Sequence, residues 1–324
     1  MITLDKGPRL RGADASAPAR RRRRRAAAVV VTAGAVLAVP AVATPAQAAA
    51  PTVSAKGAFL LNQADGSRIY GKYADTKRQM ASTTKIMTVR VVLSQKNLDL
   101  DRKVTVQQAY RDYVAREGAS TADLKKGDKV TVRQLLYATM LPSGCDAAYA
   151  LADTFGSGTT RSARVKSFIG KMNKKAGTLG LTNTRFDSFD GISTTGNNYT
   201  TPRDLAKLAR SAMKYSTFRT VVKTRKTVRY AKTSTGGTRT YTWYNTNKLL
   251  GSYSGAVGIK TGTGTAAGPC LVFAATRGGR TVVGVVLNGS NRYTDAAKLL
   301  DYGFGSSTAT TMKLRQLPAG AQQD

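Results

Sequence analysis

The sequence predicts an α/β protein of two lobes, with one antiparallel sheet drawn from both ends of the chain and helices inserted between its halves. Three observations carry this. A strand–turn–strand pattern opens the region after residue 50. Segments of helical periodicity fill the middle, and β-rich runs joined by a glycine turn close it. The chain has 324 residues, 41% of them hydrophobic, so a sizeable core is within reach. No repeat or long low-complexity linker divides it, and residues 49–305 read as one unit.

The elements follow in order. Ala58-Phe59-Leu60-Leu61-Asn62 and Arg68-Ile69-Tyr70 flank an Ala64-Asp65-Gly66-Ser67 turn and predict a β-hairpin. Ser82 opens an apolar-periodic stretch to Leu93, read as a helix. A second helix runs from Val132 to Met140, stopped by Pro142. Two more span Asp146 to Phe155 and Ala163 to Leu179. Thr201-Pro202 opens a fifth, threonine as cap and proline in the first turn. Ala256 to Lys260, Cys270 to Thr276 and Thr281 to Leu287 are β-rich, the last two joined by the hairpin turn Arg277-Gly278-Gly279-Arg280. Arg292 to Tyr302 is a closing helix, and residues 306–324 read as a short polar tail without an amphipathic anchor.

Composition excludes several chemistries. The chain has no histidine, which removes Ser-His-Asp and Cys-His triads and histidine-containing zinc sites. Cys145 and Cys270 are the only cysteines and Glu117 the only glutamate, so neither a four-thiolate metal site nor a glutamate pair is available. A general base must come from Lys, Asp, Tyr or Cys. No metal or other cofactor is expected.

The formal net charge is +33. Arg20 to Arg25, an apolar stretch from Ala26 to Ala43 and Ala46-Gln47-Ala48 match a basic, apolar and small-x-small succession, so residues 1–48 are read as a secretory signal peptide. They hold nine Lys/Arg and two Asp, which leaves 42 basic and 16 acidic residues, +26, on the remainder. Outside the cell such a surface meets anionic wall polymers or phospholipid headgroups. The basic residues lack the aromatic interleaving of a single-strand binder, and no nucleic acid partner is expected.

Without histidine, a serine nucleophile can be activated by lysine. Ser82-Thr83-Thr84-Lys85 places the two at i and i+3, on one helix face, with the Ser82 N–H free to meet a developing oxyanion. Lysine serves as base only as the neutral amine, which burial or a nearby cation favours. The spacing alone is weak evidence, since Ser211-Ala212-Met213-Lys214 repeats it. That second pair lies late on a helix, where the backbone N–H groups are already bonded, and is read as structural. Lys260-Thr261-Gly262, followed by Thr263, ends a predicted strand, and Gly262 leaves room for a close backbone approach. Ser143-Gly144-Cys145 follows Pro142 between two helices.

An S-x-x-K, then a serine tripeptide, then K-T-G form the ordered signature of penicillin-binding proteins and class A β-lactamases. Together with the flanks Ala81 to Thr88, Leu141 to Ala148 and Gly258 to Gly262, the chain resembles the low-molecular-mass penicillin-binding proteins, serine D-Ala-D-Ala carboxypeptidases and transpeptidases. The S-G-C variant is similar to the small secreted DD-transpeptidase type of actinobacteria. The resemblance implies a β-lactamase/DD-peptidase fold: a five-stranded antiparallel sheet flanked by helices, plus an all-helical lobe.

It also implies roles. Ser82 is acylated by the penultimate D-Ala carbonyl of a peptidoglycan stem peptide and Lys85 is its base. Ser143 bridges the two lysines and relays a proton to the leaving amine. Lys260 adds positive charge that favours the neutral form of Lys85. Thr261 and Thr263 offer hydroxyls to the substrate carboxylate, and the Ser82 and Thr263 amides form the oxyanion hole. β-Lactams acylate Ser82 as mimics, and the enzyme is expected to act as a monomer.

The chain departs from the pattern at two points. Cys145 replaces the usual asparagine and is a poor donor and acceptor for substrate, which favours transfer to an amine over water. Asn245-Thr246-Asn247 lacks the arginine many relatives carry there, leaving the carboxylate anchor open. Cys145 and Cys270 are expected as free thiols. The competing readings are a β-lactamase, disfavoured because Glu117 precedes Ser143, and a non-catalytic penicillin- or wall-binding module of the same fold.

Overall fold

The computed structural model describes residues 49–323; the signal-peptide reading of residues 1–48 lies outside them. The two ends of this stretch build one sheet. β1 (Gly57–Asn62) and β2 (Arg68–Lys72) form the expected hairpin. β3 (Arg78–Gln79) leads into a 3-10 turn, Ala81–Thr84, and then α1 (Lys85–Leu93). All nine residues of α1 are buried, so it runs through the core rather than over it. Two of its polar side chains find partners there: Thr88 Oγ1 donates to the Phe189 carbonyl, and Arg90 Nε donates to Ser211 Oγ at 3.0 Å.

The helical lobe follows. It contains β4 (Lys103–Thr105), α2 (Gln108–Glu117), β5 (Lys129–Thr131), α3 (Val132–Met140), α4 (Cys145–Phe155) and α5 (Arg161–Thr178). Thr131 caps α3 with a full capping box, its hydroxyl accepting from the Gln134 amide while the Gln134 side chain accepts from the Thr131 amide. β6 (Tyr199–Thr200) pairs with β3. α6 (Pro202–Ala212) starts as its sequence predicts, with Thr201 Oγ1 accepting from the Asp204 amide at 3.1 Å and proline at the first turn.

Besides the short strands β3 to β6, two helices and a hairpin escaped the sequence reading. α2 buries only Tyr110, so its periodicity is faint. α7 (Ser216–Lys223) is a short helix after α6. β7 (Lys226–Lys232) and β8 (Thr238–Tyr244) form a hairpin that joins β4 and β5 in a second sheet of order β4-β5-β7-β8. The lobe is therefore not all-helical. Alternation carries this hairpin: Thr227 and Ala231 on β7, Tyr241 and Trp243 on β8, turn inward while their neighbours face solvent.

The chain then returns to the main sheet as β9 (Ala256–Gly262), β10 (Cys270–Arg277) and β11 (Arg280–Leu287), and ends with α8 (Arg292–Phe304). The sheet has five antiparallel strands in the order β2-β1-β11-β10-β9. Its central strands are buried on both faces. Leu271, Phe273 and Val286 pack against Leu299 and Leu300 of α8, while Val272, Val283 and Val285 face the α1 and α6 side. Each fully buried aliphatic or aromatic side chain contributes about 1.5–3 kcal/mol, so the sheet is clamped between two cores and β9 forms a stiff edge. Past α8 the chain does not trail off as the sequence suggested. Asp301 accepts from Ser306 Oγ, Thr308 Oγ1 and the Ala309 amide, and Met312 packs against the α8 core.

Candidate active site

The Ser82 turn is shaped by its neighbours. Ala81 adopts φ +45°, and Ser82 sits in the 3-10 turn, one turn ahead of α1, so the expected helix begins at Lys85. In a 3-10 turn, side chains at i and i+3 eclipse, which serves the Ser82–Lys85 pair better than an α-helical turn. Lys85 Nζ donates to Ser82 Oγ at 2.8 Å and to the Asp190 carbonyl at 3.1 Å. Lys85 is fully buried.

Asp190 is itself fixed. Its Oδ2 accepts from the Tyr113 hydroxyl at 2.8 Å and its Oδ1 from the Ile192 amide at 3.0 Å. Burial first, and then the Asp190 carboxylate, push the Tyr113 phenol well up, so the proton stays on the donor. At Gly191, φ is +104° and a β carbon would collide with the Ala81 carbonyl. On the other side, a β carbon at Gly262 would stand 3.0 Å from both the Ser82 and Thr83 amide nitrogens. Two chain-distant glycines thus leave the space in which the turn sits.

Ser143 is buried in the left-handed region, φ +63°, at a cost of about 1–2 kcal/mol. Gly144 and Cys145 follow as cap and first residue of α4, with the Cys145 amide donating to the Ser120 carbonyl at 2.8 Å. Lys260, on the buried end of β9, donates to Thr261 O at 3.0 Å and Thr261 Oγ1 at 3.4 Å among its contacts. Thr263 follows on the exposed side, and its hydroxyl accepts from Arg292 at 2.8 Å. A cleft of about 890 Å³ lies over this assembly, lined by Ser82, Cys145 and Thr263, by Glu117 at the end of α2 and by residues 191–196. That volume suits a small peptide.

A protein-family model described as D-alanyl-D-alanine carboxypeptidase matches residues 44–291. The chain belongs to this family. It is 61% identical to a D-alanyl-D-alanine carboxypeptidase of Streptomyces sp. strain K15 over 279 residues, 84% of this chain and 96% of that one. It is 33% identical over 257 residues to the carboxypeptidase DacF of Bacillus subtilis, covering 77% of this chain and 62% of that longer protein. The solved structure of the Streptomyces K15 DD-transpeptidase superposes with a TM-score of 0.78 at 62% identity, over 79% of this chain and 98% of that one. The chain is thus a serine-type DD-peptidase with the DD-peptidase fold.

Within this family frame, several sequence expectations need correcting. Ser143 Oγ does not bridge the two lysines; it is buried and makes no hydrogen bond among the described residues. The Thr261 hydroxyl does not face the cleft either. Strand alternation turns it inward, 2.6 Å from Thr246 Oγ1. A β carbon at Gly262 would meet the Ser82 and Thr83 amides, so the glycine makes room for the Ser82 turn. Ser82, Thr263 and Cys145 line the cleft as expected, and Lys85, Ser143 and Lys260 are buried.

Cys145 and Cys270 are free thiols. The Cys145 sulfur lies 3.8 Å from Ser120 Oγ and 3.9 Å from the Ser143 carbonyl. Burial pushes the Cys145 thiol up to about 12 against the pull of Lys85, which rules out a thiolate nucleophile near neutral pH. Glu117, at the cleft rim, is engaged by Arg116 Nε at 2.9 Å. Ser211 and Lys214, the decoy pair, lie apart: Ser211 serves Arg90, and Lys214 is exposed.

Arg292, which the sequence reading did not single out, stands behind Thr263. At the first turn of α8 it donates to the carbonyls of Gly262 at 3.1 Å and Cys270 at 3.4 Å, and to Thr263. No motif announces it. The available signal was an arginine opening the closing helix, a few residues after the last sheet strand.

Proposed function

We propose that this enzyme is acylated on Ser82 by the penultimate D-Ala carbonyl of a peptidoglycan stem peptide, and that it passes the acyl group to an amine in preference to water. The 2.8 Å contact between Lys85 Nζ and Ser82 Oγ carries the reading. As a neutral amine, Lys85 takes the Ser82 proton while Oγ attacks. The amides of Ser82 and Thr263 are suited to hold the oxyanion. Collapse of the tetrahedral intermediate breaks the C–N bond. D-Ala departs with the proton; a relay through Ser143 requires its buried hydroxyl, which makes no hydrogen bond among the described residues, to turn toward Lys85 once substrate is bound. In the second half, an amine attacks the ester, its proton returns through Lys85, and Ser82 is restored.

The terminal carboxylate of the substrate is held by the Thr263 hydroxyl, with the buried Arg292 guanidinium behind it supplying positive charge. The preference for amines rests on Cys145. A high-pKa thiol offers a weak donor and acceptor where an amide would hold substrate and polarise water. The description of the K15 relative as a DD-transpeptidase favours the same reading. β-Lactams are proposed to acylate Ser82 as mimics of the D-Ala-D-Ala end. We also place the enzyme outside the membrane, reached through the residue 1–48 signal, with its basic surface against anionic wall polymers or lipid headgroups.

The test is product analysis with diacetyl-Lys-D-Ala-D-Ala, with and without a glycine-type amine, on the wild type and Ser82→Ala. Transfer product with an inactive Ser82→Ala is expected. Hydrolysed peptide alone would overturn the amine preference, and no turnover by folded wild type would overturn the substrate.

A further inference from the structure

The substrate cleft has a wall that belongs to neither lobe. Gln322 and Gln323, near the end of the described residues, line it together with Ser82, Cys145 and Thr263. They lie beyond residues 44–291, the span matched by the family model. The segment that carries them, residues 305–323, is held at successive points. Asp301 binds Ser306, Thr308 and the Ala309 amide. The Arg315 amide donates to Ser252 Oγ at 2.8 Å, and its guanidinium donates to the Asn245 and Asn247 carbonyls. Gln322 Oε1 accepts from the Thr121 amide at 3.2 Å. Thr121 is a rigid post, because the buried Asp146 carboxylate accepts from its hydroxyl and from the Ala122 and Leu124 amides.

We propose that this segment forms part of the peptide-binding site, with Gln322 and Gln323 as specificity-determining residues that hydrogen-bond an extended peptide stem. The proposal rests on the DD-peptidase reading above and deepens it. Three observations favour a wall over a plug. The cleft keeps about 890 Å³ with the segment in place. The segment's path is set by contacts outside the cleft, at Asp301, Ser252 and Asn245–Asn247. The groups it presents are primary amides: Gln322 spends its Oε1 on the Thr121 amide and one Nε2 hydrogen on the Gln323 carbonyl at 3.2 Å, which leaves its second N–H and the exposed Gln323 amide to meet the alternating N–H and C=O of a peptide backbone. The reacting dipeptide end is served by Ser82, Thr263 and Arg292. The glutamines are therefore left for residues of the stem beyond it, from the donor strand or the acceptor strand.

The test compares wild type with Gln322→Ala/Gln323→Ala and, independently, Arg315→Ala, which releases the segment without touching the cleft lining. Three second-order constants are measured: acylation of Ser82 by benzylpenicillin, which lacks a stem; reaction of a full stem pentapeptide ending in D-Ala-D-Ala with a simple amine; and reaction of diacetyl-Lys-D-Ala-D-Ala with a stem-peptide amine acceptor. Loss of one or two hydrogen bonds predicts that the ratio of a stem-peptide constant to the penicillin constant falls about three- to tenfold in both variants. A fall with the pentapeptide donor assigns the wall to the donor stem, and a fall with the peptide acceptor assigns it to the acceptor. Unchanged ratios for both would overturn the proposal. So would a rise in all three constants, which would make the segment an obstruction. Failure of penicillin to label wild-type Ser82 would instead count against the DD-peptidase reading itself.

Discussion

Gly262 and Ser82, 180 positions apart in sequence, are in backbone contact: a β carbon on Gly262 would lie 3.0 Å from the Ser82 amide nitrogen. The glycine of the K-T-G triplet therefore leaves the space in which the Ser82 turn sits, as Gly191 does at Ala81. Gly262→Ala should displace the Ser82 amide and cut penicillin acylation about tenfold or more, since a small misplacement of the reacting groups is costly. Acylation kinetics by mass spectrometry on folded protein check this; an unchanged rate would show that the contact yields freely.

Arg292 ties the end of β9 to the start of α8 through the Gly262 carbonyl and Thr263 Oγ1. Arg292→Lys keeps the charge but loses the planar fork. For a substrate bearing a free carboxylate, kcat/KM is expected to fall about tenfold, with a smaller loss for the corresponding carboxamide. Equal losses on both would mean that Arg292 only braces the strand.

Cys145 should be inert in the folded protein. With its thiol pushed up to about 12 by burial, alkylation by iodoacetamide at pH 8 should be about a thousandfold slower than in the urea-unfolded chain. Peptide mapping after timed labelling reads this at each cysteine, and rapid native labelling at Cys145 would contradict the burial.

Asp301 makes the start of the C-terminal segment sensitive to acid. Burial pushes its carboxyl up, but the Thr308 and Ser306 hydroxyls, the Ala309 amide and Tyr253 outweigh that and hold it below the usual carboxylate range. A group lowered in the fold contributes stability that is complete above its unfolded value, about 3.9, and that fades as pH falls through the folded value. Asp301→Asn should therefore be less stable than wild type by about 1–3 kcal/mol at pH 7, and the gap should narrow below pH 4. Urea titrations at both pH values measure it.

The amino-acid sequence by itself determined the parts whose physics is local. The Thr201-Pro202 cap, the Gly278-Gly279 turn and the apolar β-rich runs of β1, β10 and β11 each depend on neighbours a few residues away, so they were legible. So was the contact of Ser82 with Lys85, because three positions of one turn bring them together. The β7–β8 hairpin was equally local, with Thr233–Gly237 as its turn, but its lysines, arginines and threonines masked the inward Thr227, Ala231, Tyr241 and Trp243. Tertiary structure alone decided the rest. The second hydrogen bond of Lys85 goes to a main-chain carbonyl at residue 190, and the cleft draws its wall from Gln322 and Gln323. Backbone atoms are the same in every residue, and a contact made across 100 or 200 positions leaves no periodicity behind it. Such partners become visible only once the two cores have packed and fixed where the chain returns.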